Sequence, residues 1–420
     1  MKNGTLQNAT WIVDPYPTLA RLRAQAPVHR LQQADGTALW FVTREPDVRT
    51  ALMDRRLTVD PVHSRSDRGH SGFSLPGPLR ENLLTLDGKA HARLRRFAAP
   101  AFSARRAETW RERIRSTTAR LAAGLATRPS ADLIADFAIP LPLTVAADLL
   151  GVPAAHRPAL AEWTTAMVTH DRHQQLDAAV HHVHGLIARL IHARRRQPGP
   201  DLLSTWVTAR DTHQHISDDE LVSLAFQIWW AGIENVTHAI GHGILLLLDH
   251  PHQADALRAE PGRMAATVEE LLRRTAPTAT AAPRFARHDL TLAGARIRAG
   301  DTVVLSLASA NRDPAPHTLP DRFTPGRLPS RHLAFGHGPH YCPGTALARI
   351  QLQTALEYLL HLPGPALTPD RPPRCRNSMR LHGFDELPVT IASHLRPSPP
   401  SSGFHSFDGM RQANSPEPEL

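Results

Sequence analysis

One of the two cysteines in this 420-residue chain stands in a setting that favours chemistry. Cys342 lies in Phe335-Gly336-His337-Gly338-Pro339-His340-Tyr341-Cys342-Pro343-Gly344, ahead of a long helical stretch. Main-chain N–H groups of a glycine-rich turn and the positive end of the next helix favour a thiolate there. A thiolate is the axial ligand that haem iron takes where an O–O bond is to be split. The plain alternative is a buried structural cysteine after a turn. Other residues also have spacing that chemistry could use. His91 and Arg95 lie one helical turn apart, and Glu270 and Arg273 are three residues apart, so each pair can share a helix face. Glu234 and Asn235 sit inside a long apolar stretch, and His238 and His242 follow at i, i+4.

The cysteine segment resembles the haem-binding loop of the cytochrome P-450 family, Phe-Gly-x-Gly-x-His-x-Cys-x-Gly followed by a helix with Leu-Ala-Arg. Every fixed position is filled, and Leu347-Ala348-Arg349 comes in place. Gly336 and Gly338 permit a tight turn against a flat macrocycle, and Gly344 lets the helix begin against the ring. Phe335 would pack beside the sulfur and limit water access, which tunes the iron potential. The resemblance runs over residues 14–394. It implies haem b (iron protoporphyrin IX) bound through Cys342, O2 as co-substrate, and a mainly α, triangular single domain with small β-sheets.

Several further segments carry the resemblance. His91 and Arg95 match the family's His-x-x-x-Arg, and Arg284, in Pro283-Arg284-Phe285-Ala286, matches another propionate arginine. With His340 these four are the implied partners of the haem propionates, which arginine forks suit well. Glu270-Leu271-Leu272-Arg273 resembles the family's Glu-x-x-Arg, and Arg322 of Pro320-Asp321-Arg322-Phe323 is the implied third member of a buried network behind the cysteine loop.

Ala231-Gly232-Ile233-Glu234-Asn235-Val236 resembles Ala-Gly-x-Glu/Asp-Thr-Thr. The small pair would leave room for oxygen and permit a helix bulge, and Glu234 matches the acid that helps deliver protons. Asn235 departs from the family, which usually has threonine there. An amide donates a hydrogen bond but relays protons poorly. Hydroxylation would then depend on ordered water or a substrate hydroxyl, and the departure equally admits coupling or desaturation without oxygen insertion. Trp230, Ile233 and Thr280 are the pocket candidates; an aromatic face suits a flat substrate, and Trp229 reads as core.

Rival classes are a zinc hydrolase, a nucleic-acid binder and a non-catalytic haem carrier or sensor. His238 and His242 have zinc spacing, but Ala239 occupies the place where a metalloprotease needs glutamate. With 26 histidines, chance pairs such as those in His181-His182-x-His184 are expected. The net charge is +9, yet the arginines are scattered along helices and aromatic residues are only 5%, so no base-stacking platform accompanies them. A solvated arginine-rich surface, or a basic face for an acidic electron donor, fits better. A carrier would not need Glu234.

The elements that must position these groups read mostly as amphipathic helix, with 41% hydrophobic residues for a large core. Ser217-x-x-Glu220 is a capping box opening a long helix that Pro251 stops. Short strands are expected at 28–31, 38–43, 289–292, 295–298 and 302–307. The domain is expected over 14–396, with a flexible N-terminus at 1–13 and a disordered tail at 397–420. No signal region or membrane-length apolar run is present: Ile244 to Leu248 is far below the about 20 residues a span needs. The expectation is a cytoplasmic monomer acting on a small natural-product-like molecule. No flavin or iron–sulfur domain is fused, so electrons should come from a ferredoxin and ferredoxin reductase.

Overall fold

A computed structural model describes residues 9–32, 38–65, 75–168, 173–213, 216–328 and 331–392. Residues 397–420, most of the expected flexible N-terminus, and the internal stretches 66–74 and 169–172 lie outside them. Residues 9–13 differ from the expectation. Ala9–Val13 is a helical turn, because Trp11 is buried there and meets Phe41 edge-on at 6.5 Å.

The long helix, Asp218–Leu248, organises the molecule. Ser217 Oγ accepts from Glu220 N at 3.1 Å, while Glu220 Oε2 accepts from Ser217 N at 2.8 Å, so the capping box closes both ways. Asp218, Asp219 and Glu220 in the first turn complement the helix dipole. From Leu221 onward the helix is apolar on nearly every side, as a helix running between two packed layers must be. One layer is built on Leu271, Leu356 and Phe137, the other on Val180, Leu203 and Trp229. Gly243 is where helices cross closely: a Cβ there would lie 2.8 Å from Leu271 and from Leu356.

Thr345–Leu360 follows the cysteine loop and packs against the long helix and against Arg111–Ala126. Strands are short. A five-stranded sheet takes the order Val28–Gln32, Ala38–Val42, Thr302–Leu305, Arg284–Ala286, Leu57–Thr58, with only the Ala38/Thr302 pair parallel. Among the described residues there are three smaller sheets, including Arg374–Cys375 paired with Phe384–Glu386. The helix carrying Ala231 and Gly232 runs without a bulge; the π-turn is instead at Ile134–Ala138.

Candidate active site

The cysteine loop is built by backbone geometry. Gly336 and Gly338 have φ of 74° and 75°, a left-handed conformation that favours glycine. At Gly338 a Cβ would also fall 2.2 Å from Met53 Sδ. Cys342 N donates to Phe335 O at 2.9 Å, closing the loop on itself. Burial pushes the Cys342 thiol up; the Gly344 N–H, Arg95 and Arg349 oppose this without reversing it. In the loop alone burial outweighs those partners, and a bound metal would favour the ionised sulfur.

Cations converge beside the loop. Arg284 is 3% exposed and its Nη1 donates only to the Ala282 carbonyl, at 2.8 Å; burial lowers its pKa to about 10, with Asp87 opposing. His91 is buried, its Nε2 has no hydrogen-bond partner, and burial together with His340 and Arg95 lowers it to about 4. Arg95 Nη2 donates to Tyr341 O at 2.6 Å. A buried guanidinium that pairs with no carboxylate among the described residues and an imidazole nitrogen without a partner are what a dianionic group would satisfy.

His340 is placed differently from the expectation. Its ring lies 4.3 Å from that of His91, but Nε2 faces Asp87 Oδ1 at 2.9 Å and Nδ1 faces the Leu83 carbonyl at 3.1 Å. Both of its nitrogens are already engaged by protein.

Behind the loop, Glu270 accepts from Arg273 Nε at 2.7 Å and Nη2 at 2.9 Å, with both residues essentially unexposed. The third member is Arg327, not Arg322. Arg327 Nε reaches both Glu270 oxygens at 3.2 Å, whereas Arg322 is exposed and contributes only its main-chain carbonyl. Next door, Glu269 takes two bonds from Arg349, at 2.6 and 2.8 Å, and one contact from His332 at 3.2 Å. Burial would raise Glu269, but these partners win and hold it down to about 2. Arg349 in turn lies over the Phe335 ring at 4.7 Å, so the network reaches the loop itself.

On the long helix, Ala231, Gly232 and Asn235 are half-exposed, and a Cβ at Gly232 would meet nothing within 4 Å. A flat group would have room on that open side. Ile233 points away from it and is 1% exposed in the layer with Phe226 and Trp229, so it is core and not pocket. Trp229 is likewise buried. Trp230 is half-buried and stacks on Phe226, with 6.3 Å between ring centroids. Thr280 is 5% exposed; it lines a small cavity with Leu19, Met379 and His382 and does not meet Asn235. The residue that does is Thr278, which carried no motif.

Glu234 is 2% exposed and clamped by two cations from the C-terminal segment: Arg380 Nη2 at 2.8 Å and Arg376 Nη2 at 3.2 Å. Burial would raise its pKa, but Arg380, Arg376 and His238 outweigh it and hold the carboxyl below its usual range. The zinc alternative does not close. His242 packs against His382 and Phe384 at 4.4 and 4.7 Å, and among the described residues no three ligands gather around a metal.

The Cytochrome P450 family model matches residues 154–362. The chain is 40% identical to the mycinamicin IV hydroxylase/epoxidase of Micromonospora griseorubida, over 88% of this chain and 93% of that protein. Among solved structures it is similar to the bacillaene polyketide synthase cytochrome PksS of Bacillus subtilis 168, with TM-score 0.85, 32% identity, and 93% and 100% of the two chains covered. It is also similar to CxnD, described as the enzyme for C–S bond formation in chuangxinmycin biosynthesis, with TM-score 0.83, 34% identity, and 93% and 98% covered. The chain belongs to the cytochrome P-450 family. It is a haem-thiolate monooxygenase of the bacterial type, with O2 as co-substrate.

Proposed function

We propose that this enzyme inserts oxygen into a natural-product scaffold of the polyketide kind, using a haem held by Cys342. The observation that carries this is the grouping of Cys342, closed in its glycine turn, with the buried guanidinium of Arg284 and the unpartnered imidazole nitrogen of His91. Similarity to a mycinamicin IV hydroxylase/epoxidase and to a polyketide synthase oxidase supports the substrate class. The bound haem supplies O2 activation, with the thiolate pushing electron density toward O–O cleavage.

The protein's own residues do the rest. Arg284, Arg95 and His91 would orient the macrocycle by its carboxylates. Ala231 and Gly232 keep space on the distal side. Glu234 Oε2 is bonded to Arg380, whose side chain is 44% exposed; the arginines favour the ionised carboxylate, and a proton would reach it as that contact opens toward water. Arg105 and Arg106 are exposed on a short helix packed against the helix after the cysteine loop, and they offer an acidic ferredoxin a docking face.

One observation favours a second outcome: the amide at 235, where a hydroxyl would ordinarily serve proton delivery, suits coupling as well as insertion. The test is a spectral-shift screen of purified haem protein against macrolide and other polyketide scaffolds, followed by product mass. A gain of one oxygen supports insertion, and a loss of two hydrogens supports coupling. Cys342→Ser should abolish the thiolate band of the reduced carbon-monoxide adduct; an unchanged band refutes the ligand.

A further inference from the structure

We infer that Thr278 is a positioning residue for the distal helix: its hydroxyl locks the Asn235 amide and supplies, from a neighbouring segment, the hydroxyl that the helix lacks at 235. This deepens the function proposed above and rests on it. Thr278 Oγ1 donates to Asn235 Oδ1 at 2.9 Å, and Asn235 Nδ2 lies 3.5 Å from the Ala231 carbonyl. A carbonyl can only accept, so the amide nitrogen must face Ala231. That leaves Oδ1 toward Thr278, and a hydroxyl facing Oδ1 must donate. The reversed amide would bring two acceptors together at Ala231. The Ala231 carbonyl therefore sets the direction of the amide, and the Thr278 hydroxyl holds its oxygen in place on the open side of the helix. Its second N–H and the lone pairs of Thr278 Oγ1 are left to meet water.

Thr278 is itself held in place. Ala276 ends the preceding helix in a left-handed conformation, φ 38°, and turns the chain toward the long helix. Thr278 then bridges Leu381 antiparallel, Ala279 N donates to Arg380 O at 2.8 Å, and His382 N donates to Pro277 O at 2.9 Å. The segment that clamps Thr278 is thus the one that sends Arg380 to Glu234. Two adjacent helix positions, 234 and 235, are oriented by one piece of chain.

The test compares Thr278→Val, which keeps shape and loses the donor, with Thr278→Ser, which keeps it, each alone and with Asn235→Thr. Two quantities are read on purified haem protein. One is the C–O stretch of the reduced carbon-monoxide adduct, which reports polar groups over the metal. The other is peroxide released per NADPH, with electrons supplied by a plant-type ferredoxin and its reductase.

Thr278→Val is expected to shift or split the C–O band and raise peroxide several-fold, with Thr278→Ser near the parent protein. In the Asn235→Thr background the same valine should be silent, because the helix then carries its own hydroxyl. A parent-like band and peroxide yield in Thr278→Val overturns the inference. So does a valine effect that serine fails to rescue or that persists undiminished beside Asn235→Thr. If the valine variant does not fold, Thr278→Ala against Thr278→Ser makes the same comparison. Absence of any thiolate-haem band in the parent protein would instead overturn the proposed function.

Discussion

Arg327→Ala and Arg322→Ala lie five residues apart in sequence and should differ sharply in effect. Glu270 is 1% exposed and accepts from Arg273 twice, from Thr324 N at 2.9 Å, and from Arg327 at 3.2 Å on each oxygen. Arg327 also donates to the carbonyls of Leu319 and Arg322, at 3.2 and 3.0 Å, and of Thr318. Removing it leaves Glu270 paired with Arg273, so the loss stays short of the about 3–5 kcal/mol of a broken buried pair. It still forfeits charge-assisted bonds of about 1.5–3 kcal/mol and the packing of a mostly buried stem. About 2 kcal/mol is expected, roughly one and a half decades in the folding equilibrium. Arg322→Ala keeps the only group that residue contributes, its main-chain carbonyl, and should stay within about 0.5 kcal/mol. Urea unfolding followed by far-UV circular dichroism and haem absorbance measures both. Equal losses, or a larger loss at Arg322, would refute the assignment of Arg327 to the network.

Two other expectations concern buried charge. Burial and Arg376 lower His238 to about 3 against an ordinary 6.5, and His242 also lies well below it, so both are neutral in the folded chain while the unfolded chain binds protons below about 6.5. Their contribution is therefore full above pH 6.5 and is lost as pH falls toward 3, at up to about 1.4 kcal/mol per pH unit for each residue; His238→Leu should flatten the slope between pH 6.5 and 5, and an unchanged slope refutes this. Arg284→Leu removes a buried, uncompensated cation, so haem-stripped protein should unfold at the same or higher urea while haem transfer to apomyoglobin accelerates; unaltered haem loss would show that Arg284 does not hold the propionates.

The parts of the site that could be read from sequence are those whose geometry is local. The cysteine turn needs left-handed backbone at two positions, and glycine marks both. Glu270 and Arg273 share a helix face by their spacing, and the long helix announces its start through Ser217 and Glu220. Expectation and structure part where a chain reversal decides. The backbone is left-handed at Leu319 (φ 49°), ahead of Arg322, and at Gly326 (φ 82°), ahead of Arg327, and those reversals leave Arg322 in water and turn Arg327 inward. Ile233 was misplaced for a simpler reason: neighbours in a helical motif face different sides, and only Ala231, Gly232 and Asn235 share the open one.

Thr278, Arg376 and Arg380 had no sequence signal because none belongs to a periodic element. Each reaches the distal helix from at least 43 residues away, along segments held by main-chain bridges. Their convergence bears on how the departure at 235 is read. If Asn235 were a simple loss of the proton-delivery group, nothing would require a hydroxyl at 2.9 Å from its amide, on a segment braced by Leu381 and Arg380. A braced donor aimed at a substituted position is more consistent with a relocated hydroxyl than with an absent one. Oxygen insertion therefore stays chemically open to this enzyme, and Thr278→Val, not Asn235→Thr, is the variant expected to uncouple it.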